Sequence, residues 1–556
     1  MRKMHNNIIT KFLTLVIIVL FSHVNSQAQE RSLDYYMKKT PFIMPEVTVP
    51  KFPNKIFDVT EFGAVGDGQT LNTQAFAAAI NACNAAGGGK VVVPPGLWIT
   101  GPIQMKSNVN LHVERGALVQ FTSDHTQYPM VKASASSSRY VTASPIYGYK
   151  LNNIAITGKG IIDGAGETWR PVKRAKMTDD QWKDLVKSGG VVSEDGKLWW
   201  PSKEAIDGKK YLKEMKKKVD NPGPMDYLPA RDYMRPYMVY LVGCENLLIE
   251  DITLRNSPKF VLYPNNCENV TIRHANVFND WWSQNGDGID ISASKNVVIY
   301  QCNVNVGDDG ICMKSSGDGP ESGTYNVENV LIAGCNVYHA HGGFVVGSNT
   351  NGNVRNVFVN DCNFVGTDIG IRMKSTAGKG GIVENIYIKD VYMTGIKGPA
   401  ISFNTFYQNV PAGTKRDDSN DLAEHDIPIF RNYYISNVYC LDAKQSIYVS
   451  ALPHSPLQDI HLENVWIKAK YGADMTNVDR ITLKNVKTDI QKGPVYKITD
   501  GRDVTIDNGY MPKAAKVFIE ASGDTKDISV VNTSIPNLKE LVKTTDGASS
   551  KAVQFK

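Results

Sequence analysis

Along most of this chain, apolar and polar positions alternate in short runs of three to six residues rich in Val and Ile, without the 3.6-residue spacing of an amphipathic helix. One phrase recurs: a charged residue, then Asn, then an alternation of β-branched and other side chains. It reads Glu245-Asn246-Leu247-Leu248-Ile249, Glu268-Asn269-Val270-Thr271-Ile272, Lys295-Asn296-Val297-Val298-Ile299 and Glu328-Asn329-Val330-Leu331-Ile332. It continues as Arg355-Asn356-Val357-Phe358-Val359 and Glu384-Asn385-Ile386-Tyr387-Ile388, at spacings of 23, 27, 33, 27 and 29 residues. Weaker copies begin at Asp459, Arg480, Asp503 and Asp527. A period in this range predicts a solenoid. One such coil cannot bury its own apolar face, whereas stacked coils share a continuous core. The expected fold is therefore all-β, a right-handed parallel β-helix over residues 56–540. Propeller blades need about 40 residues, which these units lack.

Some segments break the pattern. Residues 73–86 place Phe76, Ala79, Ile80 and Cys83 on one helical side and end in Gly87-Gly88-Gly89, predicting an N-terminal helical cap. Residues 166–236, rich in Lys, Trp, Asp and Pro, predict a partly helical insertion. There Thr178 caps a helix through Gln181 to Leu185, and a second helix is expected over 209–218. Long excursions of this kind are often functional. Residues 29–55 read as a Pro-rich surface extension, 415–428 as a solvated loop and 541–556 as a C-terminal tail.

Charge and composition narrow the class. The formal net charge of +5 falls to +2 without residues 1–28, which hold Arg2, Lys3 and Lys11 and no acidic residue. So even a balance excludes the basic bias expected of a nucleic-acid partner. Basic residues before an apolar run over 12–21, then Ser26-Gln27-Ala28, predict a cleavable signal peptide over 1–28 and an exported protein. No membrane span is expected, because no later stretch reaches 18 apolar residues. A monomer is expected. Export permits disulfides, but Cys244, Cys267, Cys302, Cys335 and Cys362 fall at repeat positions, which favours stacked interior thiols.

Against this background a set of polar residues recurs at coil spacing. Asn285-Gly286-Asp287 is followed by Asp308-Asp309, then His341, then Arg372-Met373-Lys374. Each piece alone reads as a turn, a surface pair or a solvated strand face, and the Gly-rich run also suits Ca²⁺ ligands. Together, Asp287 and Asp308-Asp309, 21 and 22 residues apart, should lie side by side on adjacent coils. Crowded carboxylates split their pKa values, giving one acid and one base. That division suits cleavage of a glycosidic bond. Arg and Lys add a partner for an anionic sugar.

These runs resemble the signature of the polygalacturonases, glycoside hydrolase family 28: Asn-x-Asp, Asp-Asp, Gly-His-Gly, Arg-Ile-Lys, in that order. Here Ala340 replaces the first Gly beside His341, and Met373 replaces Ile. The run from Asp58 to Gly68 also looks like the entry to the wider pectate-lyase-like β-helix group. The resemblance implies an enzyme that hydrolyses α-1,4 galacturonosidic linkages with inversion, without metal or cofactor, on a pectic poly- or oligogalacturonide. It implies Asp308 as general acid, Asp287 and Asp309 as holders of the water, and His341 as the residue orienting Asp308. Arg372 and Lys374 would grip the galacturonate carboxylate and Asn285 would add a hydrogen bond. Trp282, just before Asn285, reads as a subsite wall or as core. The insertion, with Trp169, Trp182, Trp199 and Trp200, is placed to block one end of a groove, which favours exo action. The alternatives are a hydrolase of rhamnogalacturonan or substituted galacturonan, a pectin-type lyase, and a non-catalytic glycan-binding solenoid.

Overall fold

The computed structural model describes residues 31–134, 137–315, 325–407 and 424–556. The expected signal peptide and most of the 415–428 loop lie outside the described residues. The chain divides at Thr40. The described part of the first unit is a short helix, Leu33–Met37, whose N-cap Ser32 accepts a hydrogen bond from the Tyr35 amide. The second unit, from Pro41 onward, is the solenoid.

Among the described residues, 35 strands pair in parallel, coil on coil. The recurring phrase sets the register. Glu245, Glu268, Lys295, Glu328, Arg355, Glu384 and Arg431 occupy one column across successive strands. From Glu268 onward the sign of the charge alternates, so each residue faces an opposite charge on the next coil, as in Lys295–Glu268 at 3.1 Å and Arg431–Glu384 at 2.8 Å. Opposite charges at such cross-strand positions favour the register. Parallel strands joined by crossovers take the right-handed sense.

The Asn beside each charge has a backbone role. Asn246, Asn269, Asn296, Asn329, Asn356 and Asn385 all take positive φ, between 55° and 57°. The left-handed region is open to Asn through local hydrogen bonding and is costly for most other residues. Each amide also reaches back one coil: Asn329 Nδ2 donates to Asn296 Oδ1 at 3.2 Å, and Asn356 Nδ2 to Asn329 Oδ1 at 3.1 Å. In the weaker copies Asp459, Arg480, Asp503 and Asp527 hold the same turn, with φ of 54°, 55°, 51° and 56°. Asn329→Ala should therefore lower stability by about 2–3 kcal/mol, from the left-handed backbone and two lost hydrogen bonds. Urea unfolding checks this; an unchanged midpoint would deny the ladder a stabilising part.

Valine, isoleucine and leucine from successive coils fill the interior, with Cys244, Cys267, Cys302, Cys335 and Cys362 stacked among them. All eight cysteines are free and buried. The helix Thr73–Ala85 covers the N-terminal end, burying Ala75, Phe76, Ala79, Ile80 and Cys83. At the other end Val542–Thr545 pairs with Ile519–Ser522, and Val553–Phe555 with Lys526–Val531. Coil pairing thus runs through the segment expected to be a tail.

The insertion has its own small core. Val172–Lys173, Leu198–Trp200 and Val191–Val192 form an antiparallel sheet. Val172, Trp182 and Trp199 pack together there, and Trp282 packs against them. The helix Asp179–Lys187 starts at a capping box between Thr178 and Gln181. The second helix runs Lys203–Lys218 from an N-cap at Ser202, six residues earlier than expected. Gly208 obscured its start; a Cβ at Gly208 would lie 2.3 Å from the Tyr233 Cβ, so the helix needs Gly to pack there. Among the described residues, no helix is long and apolar enough to cross a membrane.

Candidate active site

One column of short strands carries the polar set: Leu262–Asn265, Ile289–Ser292, Asp309–Lys314, Gly342–Val346 and Ile371–Lys374. Ile289 pairs with Ile311, and Asp309 with Gly342. Asp287 thus falls level with Asp309, and His341 with Asp308, where each coil enters the sheet. Gly310 allows the coils to close up beneath the acids, since a Cβ there would lie 2.5 Å from Val337 Cγ1.

The sequence expectation of clustered acids holds geometrically. One carboxylate oxygen from each of Asp287, Asp308 and Asp309 lies within 4.8 Å of the others. Their surroundings differ. The Asp287 and Asp309 side chains are 5% and 3% exposed, against 20% for Asp308. Asp309 is clamped by Lys374 Nζ at 2.6 Å and by Arg372 Nη1 at 3.3 Å. Asp287 faces Lys314 Nζ at 3.0 Å, and the same ammonium contacts the fully buried Asp290. Asp308 Oδ1 lies 2.9 Å from His341 Nδ1 and accepts the Asp309 amide at 3.1 Å.

These contacts split the proton affinities. Burial, Asp290 and the other two acids push the Asp287 pKa well up, with Lys314 opposing. Burial alone would also raise Asp309, but Lys374, Arg372 and Lys314 outweigh it and hold that carboxyl below the usual range. Asp290 is raised to about 6 by burial, against the pull of Lys314. Burial would weaken the Lys314 ammonium, yet Asp290, Cys312, Asp287 and Asp309 raise its pKa well above the ordinary lysine value.

The structure adds residues that the spacing did not single out. Lys314 and Asp290 lie on strands of the same column. The signal for Lys314 was present: Gly310, Cys312 and Lys314 alternate with core Ile311 and Met313, as Arg372 and Lys374 flank core Met373. Arg235, from the end of the insertion, donates to Asn285 Oδ1 at 3.0 Å. Tyr407 lies under Arg372 and Lys374, its ring centre 5.3 and 5.0 Å from their charges. Trp282 is partly buried, and Trp281 beside it is 49% exposed.

Two cavities reach residues next to the acids in the chain or in contact with them, though none of the three acids lines either. The first, about 500 Å³, takes in Asn285 and is walled by Trp200, Lys216, Tyr233, Arg235 and Tyr237 together with Arg139 and Lys259. None of its described lining residues is acidic. From the second insertion helix, Lys216 stands on this wall. The second cavity, about 560 Å³, takes in His341, Trp281, Trp282, Asp368, Lys176 and Lys397. The spacing of Asp287, Asp308 and Asp309 also suits a metal ion. Lys314 and the Lys374–Arg372 pair, however, already supply counter-charge to two of the three.

Comparison with known proteins places this arrangement. Residues 229–489 match the family model described as glycosyl hydrolases family 28. Residues 56–175 match one described as rhamnogalacturonase A/epimerase, pectate lyase-like. The chain is 27% identical to an exo-poly-alpha-D-galacturonosidase of Dickeya chrysanthemi, over 81% of this chain and 75% of that protein. It is 26% identical to a probable polygalacturonase of Vitis vinifera, over 74% and 73%. The crystal structure of a hyperthermoactive exopolygalacturonase from Thermotoga maritima superposes with a TM-score of 0.63 at 26% identity, covering 83% of this chain and 94% of that one. The family 28 match takes in the acid cluster and the coils beyond it, and the chain belongs to glycoside hydrolase family 28, as a glycoside hydrolase on a right-handed parallel β-helix.

Proposed function

We propose that this enzyme hydrolyses α-1,4 galacturonosidic linkages of pectic chains from one end, with inversion at the anomeric carbon. Two observations carry the reading: three carboxylates cluster, and a cavity reaching Asn285, two residues before Asp287, is lined by Arg139, Lys216, Arg235 and Lys259 with no described acidic residue in its wall. Such a cavity suits a sugar that bears a carboxylate. The insertion forms much of that wall, through Trp200, Lys216, Tyr233 and Arg235. A wall at this place favours terminal over mid-chain cutting, in keeping with the names of the Dickeya and Thermotoga relatives.

Asp308, the most exposed of the three acids, protonates the leaving oxygen. Asp287 and Asp309 hold the attacking water. Asp309 is fixed as an anion by Lys374 and Arg372. Asp287, whose proton affinity is raised by burial and like charge, is the better proton acceptor once ionised. Oxygens within 4.8 Å sit closer to the roughly 5–5.5 Å separation of retaining carboxyl pairs than to the roughly 6.5–9.5 Å of inverting pairs. That spacing is a closest approach between oxygens rather than a distance between carboxyl groups. The nucleophile required for retention would be Asp287 or Asp309, each nearly inaccessible and tied to a lysine, whereas a water is small enough to enter. Arg372, with 15% of its side chain exposed, is the more available of the two cations for a substrate carboxylate. Lys374 serves chiefly to hold Asp309. The Trp281–Trp282 wall offers a sugar-stacking surface on the His341 side. The apolar run ahead of residue 28 supports export.

Product analysis on polygalacturonate tests this. The expected result is monomeric galacturonate from the first turnovers, saturated at its end and released in the inverted anomer by NMR. Mixed oligomers would overturn the exo reading. An unsaturated, ultraviolet-absorbing product would overturn hydrolysis in favour of a lyase, and a retained anomer would make one aspartate a nucleophile.

A further inference from the structure

Lys176 belongs to the insertion, in the turn Arg174–Lys176, yet it reaches the catalytic histidine. Its Nζ lies 3.4 Å from His341 Nε2 and donates to the Trp281 carbonyl at 3.1 Å. The opposite ring nitrogen, Nδ1, faces Asp308 Oδ1 at 2.9 Å. A lysine ammonium has donors only, while a neutral imidazole has one donor nitrogen and one acceptor. Nε2 therefore accepts from Lys176, and the ring proton resides on Nδ1, pointing at Asp308 Oδ1. That oxygen also accepts the Asp309 amide at 3.1 Å. With Oδ1 doubly engaged as an acceptor, the acid proton of Asp308 falls to Oδ2.

We propose that Lys176 is a positioning residue: it fixes His341 as the Nδ1–H tautomer and thereby directs the catalytic proton of Asp308 to Oδ2. The inference rests on Asp308 acting as the general acid. Through it, the insertion that walls the first cavity also sets the geometry of the acid.

The other groups around the ring define what happens without Lys176. Asp368 Oδ2 lies 3.7 Å from Nε2 and is itself held by Lys397 at 3.3 Å. Arg372 donates to the His341 carbonyl at 3.3 Å and leaves the ring alone. Burial weakens the Lys176 ammonium, and Asp368 and Asp308 counter that effect. With Lys176 gone, Asp368 becomes the nearest partner of Nε2. As an acceptor, it draws a proton onto that nitrogen.

Nitrogen-15 NMR of the full chain labelled at histidine reads the tautomer directly, with His341 assigned by the signals lost in His341→Gln. The wild type should show a protonated Nδ1 and an unprotonated Nε2. In Lys176→Met the pattern should move to a protonated Nε2, while kcat falls about tenfold and KM stays within about twofold. Lys176→Arg, which also offers only donors, should keep the wild-type pattern and most of the activity. A protonated Nε2 in the wild type, or unchanged His341 signals in Lys176→Met, would overturn the proposal. A Lys176→Met effect confined to KM would do so too, assigning Lys176 to substrate binding. Because the tautomer is read without turnover, its failure is distinct from a failure of the Asp308 assignment.

Discussion

Asp308→Asn should lower kcat by at least about 10²-fold with little change in KM, the scale of a lost general acid. The substitution keeps the shape of the side chain and its contacts with His341 Nδ1 and the Asp309 amide. On the proposed mechanism it removes the proton the leaving oxygen needs. Asp308 is one-fifth exposed, whereas Asp287 and Asp309 are nearly sealed, so neither neighbour can take its place at the leaving group. Steady-state kinetics on polygalacturonate decide the matter. Near-normal turnover would take the acid role from Asp308 and pass it to Asp287, whose pKa burial pushes well up.

Lys314→Met should cost about 3–5 kcal/mol, the scale of breaking a buried ion pair by removing one partner. Lys314 is the shared cation of Asp287 and Asp290, both buried, and its removal leaves two carboxylates facing each other without compensation. The loss should depend on pH. Asp290 has a folded pKa of about 6, above the ordinary carboxylate value. Such a group stabilises the fold while protonated, and that contribution disappears as pH rises from its unfolded value through the folded one. Without Lys314 the folded values rise further. Thermal midpoints should therefore fall more above about pH 7 than below about pH 5. Adding Asp290→Asn, which removes one of the two charges, should restore part of the loss. Equal shifts at both pH values would mean that Lys314 contributes packing rather than charge.

The coil architecture was legible because its constraint repeats. The turns need a left-handed residue, and from Glu268 to Arg431 each coil carries a charge opposite to the next, so Asn and an alternating charge recur. The acids were legible for the same reason, because Asp287, Asp308-Asp309 and His341 fall one coil apart. Lys314 and Asp290 were not singled out. On a strand they look like ordinary outward positions, and only the packing around that face decides that they are buried. Lys176 and Arg235 were beyond reach for another reason. They come from a segment without a repeat, where spacing along the chain says nothing about position in space. Arg372 and Lys374 were found, but as a carboxylate grip. Their hold on Asp309 depends on side-chain reach, which sequence spacing leaves open.

The coil-on-coil pairing has a consequence for how this enzyme fails. Each rung rests only on the rungs above and below it, so damage spreads from neighbour to neighbour rather than through one shared centre. The catalytic rungs are interior, with paired strands continuing to Val553–Phe555 on one side and to the Thr73–Ala85 lid on the other. Fraying at either end consumes outlying rungs first, and the machinery for cutting sugar is among the last parts of the column to come apart.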